Sequence, residues 1–135
     1  FGTGKSNPVK NPHNYSITFS IYIKPDNKNL FFEDKNIIDF CKQPQILFDP
    51  KNFELIVKSN DSEIYRTNYF KLQYFNNVKI NYNNNNIDIY INDYLRYSNN
   101  HSYRNLGENN SNDIIKIGDE NGIYGTIKNL YYENI

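Results

Sequence analysis

Apolar side chains recur at every second position through much of this chain, and no long segment keeps the three-and-four spacing of a helix. The clearest rows are Val78, Ile80 and Tyr82, then Ile87, Ile89 and Ile91, with Asn83 to Asn86 between them as a turn. A period of two places one row on a buried sheet face and the alternate row in solvent. Tyr15 to Lys24 alternates in the same way, with Ile17, Phe19, Ile21 and Ile23 on one face, and Pro25-Asp26-Asn27 ends it with turn chemistry. Shorter runs span Leu30 to Phe32, Ile37 to Cys41, Gln45 to Phe48, Phe53 to Lys58 and Glu63 to Arg66. Pro44 and Pro50 flank one of them, which predicts a short or edge strand there. Ser59-Asn60-Asp61-Ser62 reads as a hairpin loop, and Asn92-Asp93 as a two-residue hairpin connection. Tyr69 to Phe75 is aromatic and transitional, and Ser98 to Asn112 is a long polar loop. Ile114 to Ile117, the turn Gly118-Asp119-Glu120-Asn121-Gly122 and a strand from Ile123 to Tyr132 complete the pattern. About ten short strands with frequent turn signals predict an all-β sandwich or barrel, and the repeated inward rows of Ile and Phe suit two packed sheets.

A chain of 135 residues fits one domain, here expected as a flexible leading segment at 1–13 and a sandwich at 14–135. Lys and Arg number 15, as do Asp and Glu, so the formal net charge is zero. That balance gives no broad electrostatic footprint for nucleic acid or an anionic membrane. No apolar run is long enough to span a bilayer, so no membrane insertion is expected of this segment. The first residue is Phe, which suggests an excerpt of a longer or processed product. Cys41 is the sole cysteine and sits in the apolar run IIDFC, which excludes an intrachain disulfide and predicts a buried thiol. The skew toward Asn, Ile, Lys and Tyr, with Ala absent, matches AT-rich codon usage, as in a protist, a low-GC bacterium or a large DNA virus.

Four stretches together carry a family pattern: Tyr74-Phe75, Tyr90-Ile91-Asn92-Asp93, Ile117-Gly118, and Gly125-Thr126-Ile127 with Leu130. With the early strand YSITFSIYIK, they resemble the LamG-like branch of the concanavalin A-like lectin/glucanase superfamily, over about Asn14 to Tyr132. The resemblance implies a two-sheet antiparallel jelly roll. Tyr74 or Phe75 stands where the family has a tryptophan, which implies an aromatic core anchor, and Asp93 stands where it has a hairpin glycine. Such folds host lectins, adhesion modules, glycosidases and structural parts alike.

Chemistry-bearing motifs are sparse. Gly2-Thr3-Gly4-Lys5-Ser6 looks like the tail of a phosphate-binding loop, but Pro8 and Pro12 follow where a helix is required. A glycosidase needs paired carboxylates on one strand face. Ile87 to Asp93 offers only Asp88 with Tyr90 and Asn92 beside it, and Glu54 and Glu63 stand alone in their runs. His13 and His101 lie in polar loops without a Ser or Cys partner. Asp119, Glu120 and Asn121, with Asp93 or Asp113, could offer calcium oxygens, yet a polar turn closed by Gly122 accounts for them. Neither a catalytic site, a metal site nor a cofactor is therefore expected. Tyr94, Arg96, Tyr97, Tyr103 and Arg104 form the candidate ligand or partner surface, because tyrosine faces beside amides and guanidinium groups suit sugars and protein interfaces. Sequons begin at Asn14, Asn60, Asn100 and Asn109, of use only on a secretory route.

The expectation is a non-catalytic structural or recognition module. With its viral-looking composition, the resemblance implies a virion-associated or minor capsid component, with other proteins of a larger assembly as partners. The alternative is a carbohydrate-binding lectin or adhesion domain, extracellular or on a cell surface, with glycans as partners.

Overall fold

The structure is a computed structural model and describes residues 14–24, 33–104, 106, 114–118 and 125–135. Ten strands run in chain order: β1 (Tyr15–Ile23), β2 (Lys35–Phe40), β3 (Gln45–Asp49), β4 (Glu54–Ser59), β5 (Ser62–Thr67), β6 (Phe75–Asn83), β7 (Asn86–Ile91), β8 (Tyr94–Asn100), β9 (Ile115–Ile117) and β10 (Gly125–Asn134). They form two five-stranded antiparallel sheets, ordered β10-β1-β6-β7-β8 and β5-β4-β3-β2-β9. The two-sheet all-β sandwich read from the alternation is the fold observed.

Its core is the expected set of rows. Ile17, Phe19, Ile21 and Ile23 of β1 lie beside Val78, Ile80 and Tyr82 of β6 and Ile87, Ile89 and Ile91 of β7, all buried. Ile38, Phe40, Ile46, Phe48, Leu55 and Val57 of the second sheet close over them, and Cys41 is buried as expected. Tyr15 stacks on Tyr82 with ring centroids 4.7 Å apart.

Three two-residue hairpin turns are pairs with positive φ, Asn60-Asp61, Asn84-Asn85 and Asn92-Asp93, and the longer β2–β3 turn opens on another, Cys41-Lys42. Two consecutive left-handed residues match the twist of the flanking strands, and Asn and Asp tolerate that region best among residues with a side chain. Asparagine richness here is therefore partly a folding device. Asp93 takes φ 69° at the position of the family's glycine.

Several expectations need correction. Gln45–Asp49 is the central strand of its sheet rather than an edge, since both prolines fall outside the ladder. The polar stretch from Ser98 continues β8 to Asn100 and then buries Tyr103 and Leu106. Tyr74 and Phe75 are 63% and 45% exposed, so neither is a core anchor. The stacked Tyr15 and Tyr82 supply the large buried rings instead. The leading segment, Leu30 to Phe32, the turns at 25–27 and 119–122, His13, Asp113 and the Asn109 sequon lie outside the described residues.

Gln43, fully buried in the β2–β3 turn, ties the far end together. Its Nε2 donates to Tyr15 Oη (3.0 Å) and to the Arg104 carbonyl (2.9 Å), while its Oε1 accepts from Asn60 Nδ2 (2.6 Å) and the Arg104 backbone N–H (2.8 Å). All four hydrogen-bonding positions of the amide are thus used.

Burial raises the ionisation of Tyr15 and Tyr82 well above the ordinary tyrosine range, and pushes half-buried Tyr132 up to about 12. An unfolded tyrosine loses its proton near pH ~10, so above that value the unfolded chain binds fewer protons than the folded one. Stability is accordingly full below about pH 10 and declines as pH rises toward and through the folded values. In a titration of tyrosinate absorbance, Tyr15, Tyr82 and Tyr132 should ionise above the ordinary tyrosine range, in step with loss of β-sheet circular dichroism.

Candidate functional site

The five residues singled out in the sequence do not converge: Tyr94 and Arg96 lie towards one end of β7, Tyr103 and Arg104 towards the other, and Tyr97 pairs with Ile89 between them. Tyr103 and Arg104 stand beside the Asn84-Asn85 turn and point inward. Tyr103 packs edge-on against Tyr82 at 5.0 Å and accepts the Asn85 backbone N–H at 3.4 Å. Arg104 donates from Nη2 to the Cys41 carbonyl. Both complete the core rather than a surface. Tyr97 is half-buried, its ring 5.5 Å from Tyr65 and its hydroxyl 2.5 Å from His101 Nε2.

Tyr94 and Arg96 lie at the other end and line a cleft of about 580 Å³. Its opposite wall is the segment from Asn68 to Asn76, with Tyr69, Lys71 and Tyr74 among the lining residues, and Ile91 and Asn92 complete it. Three tyrosines there are largely exposed: Tyr69 at 64%, Tyr74 at 63% and Tyr94 at 67%. The Arg96 guanidinium sits over the Tyr69 ring at 4.4 Å and near Tyr94 at 5.4 Å, while Lys71 Nζ is 5.5 Å from the Tyr74 ring.

Local sequence explains this placement. Tyr94 follows directly on the Asn92-Asp93 turn. The β7–β8 register pairs Tyr90 with Leu95 and Ile89 with Tyr97, which leaves Arg96 as the extra residue of a bulge. A bulge re-aims a side chain out of the ladder, and here it sends Arg96 over the tyrosines. The 68–75 segment has no strand period because its backbone is held by a side chain instead.

That side chain is Asn76, 1% exposed at the start of β6. Its Oδ1 accepts from the Lys71 backbone N–H (3.0 Å) and from Asn92 Nδ2 (3.1 Å). Its Nδ2 donates to the carbonyls of Lys71 (2.7 Å) and Tyr74 (3.1 Å). Again an amide has no hydrogen-bonding position left over. Asn92 in turn accepts from the Asn77 backbone N–H at 2.9 Å, and Gln73 N–H donates to the Ile23 carbonyl at 2.8 Å. Both walls of the cleft are therefore anchored to β6 and β1.

Tyr69, Lys71, Tyr74 and Asn76 were not among the sequence candidates. The available signal was the aromatic run YFKLQYF, in which Phe70 and Leu72 pack against the core while Tyr69 and Tyr74 stay exposed.

The acidic residues also group differently from expectation. Glu54 and Glu63, read as solitary, gather with Asp49 around Arg66, at 3.6, 2.8 and 3.0 Å. Burial acts to raise the Asp49 ionisation, but hydrogen bonds from Asn52 and Lys51 and the Arg66 charge outweigh it and leave the carboxyl below the usual range. A general acid needs the opposite shift. Asp88 accepts from Asn86 and Ser98 on the solvent face of its sheet. Among the described residues no group of three His, Cys, Asp or Glu could hold a metal, and no helix is long and apolar enough to cross a membrane. The calcium candidates Asp119, Glu120 and Asn121 lie outside the described residues.

Replacing Asn76 by Ala leaves buried backbone groups of Lys71 and Tyr74 without partners. A loss of about 2–4 kcal/mol in urea unfolding is expected. Amide exchange should quicken selectively across residues 68–75, and exchange that speeds up equally throughout the core would contradict this role.

No family model matches the chain, and no curated protein matches it in sequence. Solved structures do. An alginate lyase of polysaccharide lyase family 7 aligns at 17% identity with a TM-score of 0.57, over 90% of this chain and 59% of the lyase. Sheep galectin-11, solved in complex with glycerol, aligns at 7% identity and TM-score 0.56, over 93% of each chain. A carbohydrate-binding module from Bacillus subtilis aligns at 14% identity and TM-score 0.52, over 90% of this chain and 76% of the module. All are jelly-roll sandwiches related to the concanavalin A-like lectins and glucanases, and at these identities the likeness concerns the fold.

Proposed function

We propose that this domain is a non-catalytic carbohydrate-binding module, and that the cleft between residues 68–76 and the β7–β8 turn holds the saccharide. The observation that carries this reading is the convergence of Tyr69, Tyr74 and Tyr94, all largely exposed, on one cleft of about 580 Å³. Exposed rings gathered in one place mark an interaction site rather than ordinary surface. Ligand sites typically occupy roughly 300–1,000 Å³ and combine aromatic walls with a few placed polar groups. A pyranose offers C–H faces to the rings and hydroxyls to the exposed amides of Asn68 and Asn92.

The neighbours support the same reading, since one is a carbohydrate-binding module, one a galectin and one a lyase of a polysaccharide family. None of them supports a virion or capsid role. In a structural assembly the same rings would instead meet a partner protein, as tyrosine and arginine do at interface centres. Binding without catalysis is favoured because Asp49, Glu54 and Glu63 gather on Arg66 and the Asp49 carboxyl is held below the usual range, the opposite of what a general acid needs. An extracellular or surface location goes with a glycan partner.

Glycan-array screening followed by calorimetry tests the proposal. Saturable binding is expected, weakened roughly five- to tenfold by Tyr74→Ala, in line with ~1 kcal/mol for one aromatic contact. The melting temperature should scarcely change, because the ring is exposed. Failure to bind any glycan, or turnover of a glycan that binds, would contradict it.

A further inference from the structure

Resting on the carbohydrate reading of the cleft, we infer that the saccharide recognised there is anionic, bearing a uronate carboxylate or a sulfate. Both charged side chains lining the cleft, Lys71 and Arg96, are cations, and no Asp or Glu lines it among the described residues. That is a local imbalance in a chain whose charges cancel overall.

Two cations elsewhere are paired, Lys42 with Asp61 at 3.3 Å and Arg66 with three carboxylates. Neither Lys71 nor Arg96 lies within ion-pair distance of a carboxylate among the described residues. Asp93 adjoins the cleft in sequence but lines a separate depression with Thr18 and Lys79, on the outer face of the β1–β6–β7 sheet.

The tyrosines take the place of counter-ions. A ring face attracts a cation through its quadrupole without occupying the N–H donors. Arg96, over Tyr69 and beside Tyr94, therefore keeps a planar edge of donors for a two-pronged contact to a carboxylate or sulfate. Lys71 beside Tyr74 supplies a point charge on the other wall. Lys128, 3.8 Å from the ring centroid of Phe75, brings a third cation to the cleft's border. A neutral sugar would use the rings and leave these cations without a counter-charge. An anionic one uses both.

Matched saccharides separate the cases. Tetragalacturonate would be compared by calorimetry with the same tetrasaccharide reduced at its carboxyls, and a chondroitin sulfate oligosaccharide with its desulfated form. The anionic member of at least one pair should bind about tenfold or more tightly, with affinity falling as salt is raised. The pair that shows the preference identifies carboxylate or sulfate as the group read. Arg96→Gln and Lys71→Gln should each remove most of the preference, so that the anionic and neutral members of a pair bind more nearly alike. Both side chains are exposed, so the fold tolerates either change. Equal binding of neutral and anionic members, weakened by Tyr74→Ala, would overturn the inference and leave the carbohydrate reading standing. An anionic preference untouched by both Gln variants would overturn it as well. Absence of binding to every saccharide in the panel would instead defeat the carbohydrate reading on which it rests.

Discussion

Two sheets can close on each other only where both inner faces are apolar at every second residue, and β1 supplies the row on which that closure rests. It lies between β10 and β6, and its inner side chains from Tyr15 to Ile23 are almost wholly removed from water. Each such burial contributes about 1.5–3 kcal/mol. A register slip of one residue would turn the whole row outward, so the pairing of β1 with β6 is sharply specified. Once the faces are committed to the core, recognition falls to strand ends and connecting loops. Two buried amides organise those ends. Gln43 gathers the end beside Tyr103 and Arg104, and Asn76 gathers the end that carries the cleft.

The difference between the two ends is what their anchoring leaves outside. Around Gln43 the tyrosines and the arginine backbone turn inward and the polar groups find one another. Around Asn76 the amide satisfies the backbone of Lys71 and Tyr74, and of that segment Phe70 and Leu72 pack against the core while Tyr69, Lys71 and Tyr74 face solvent on a fixed wall. The opposite wall owes its shape to a two-residue turn and a bulge, which project Tyr94 and Arg96 toward it. A preformed site of this kind loses little conformational freedom when a ligand binds.

The sheets were legible in the sequence because period two is a local signal. Ile17 to Ile23, Val78 to Tyr82 and Ile87 to Ile91 could be assigned to the core from spacing alone, and the Asn-Asp turns from their tolerance of positive φ. The cleft was legible only in part. Tyr94 and Arg96 were singled out as an aromatic face and a guanidinium beside amides, and the structure places both on the cleft. Tyr103 and Arg104 were misplaced because a polar loop gives no hint that it folds back over Tyr82 and Gln43, a contact between residues far apart in sequence. Tyr69, Lys71 and Tyr74 were missed for the converse reason. Their placement depends on three hydrogen bonds between one asparagine and the backbone of Lys71 and Tyr74, and nothing in a single sequence marks Asn76 among its many fellows.

Where a saccharide touches the domain is the most direct question to put to this account. Amide chemical-shift mapping by nuclear magnetic resonance, with a bound oligosaccharide titrated into the labelled domain, answers it without any substitution. Perturbations clustered at residues 68–76 and 91–96, with Tyr103 and Arg104 unaffected, are the predicted result. Perturbations centred on Thr18, Ser20, Asn77 and Tyr90, which line the depression on the outer sheet face, would contradict it.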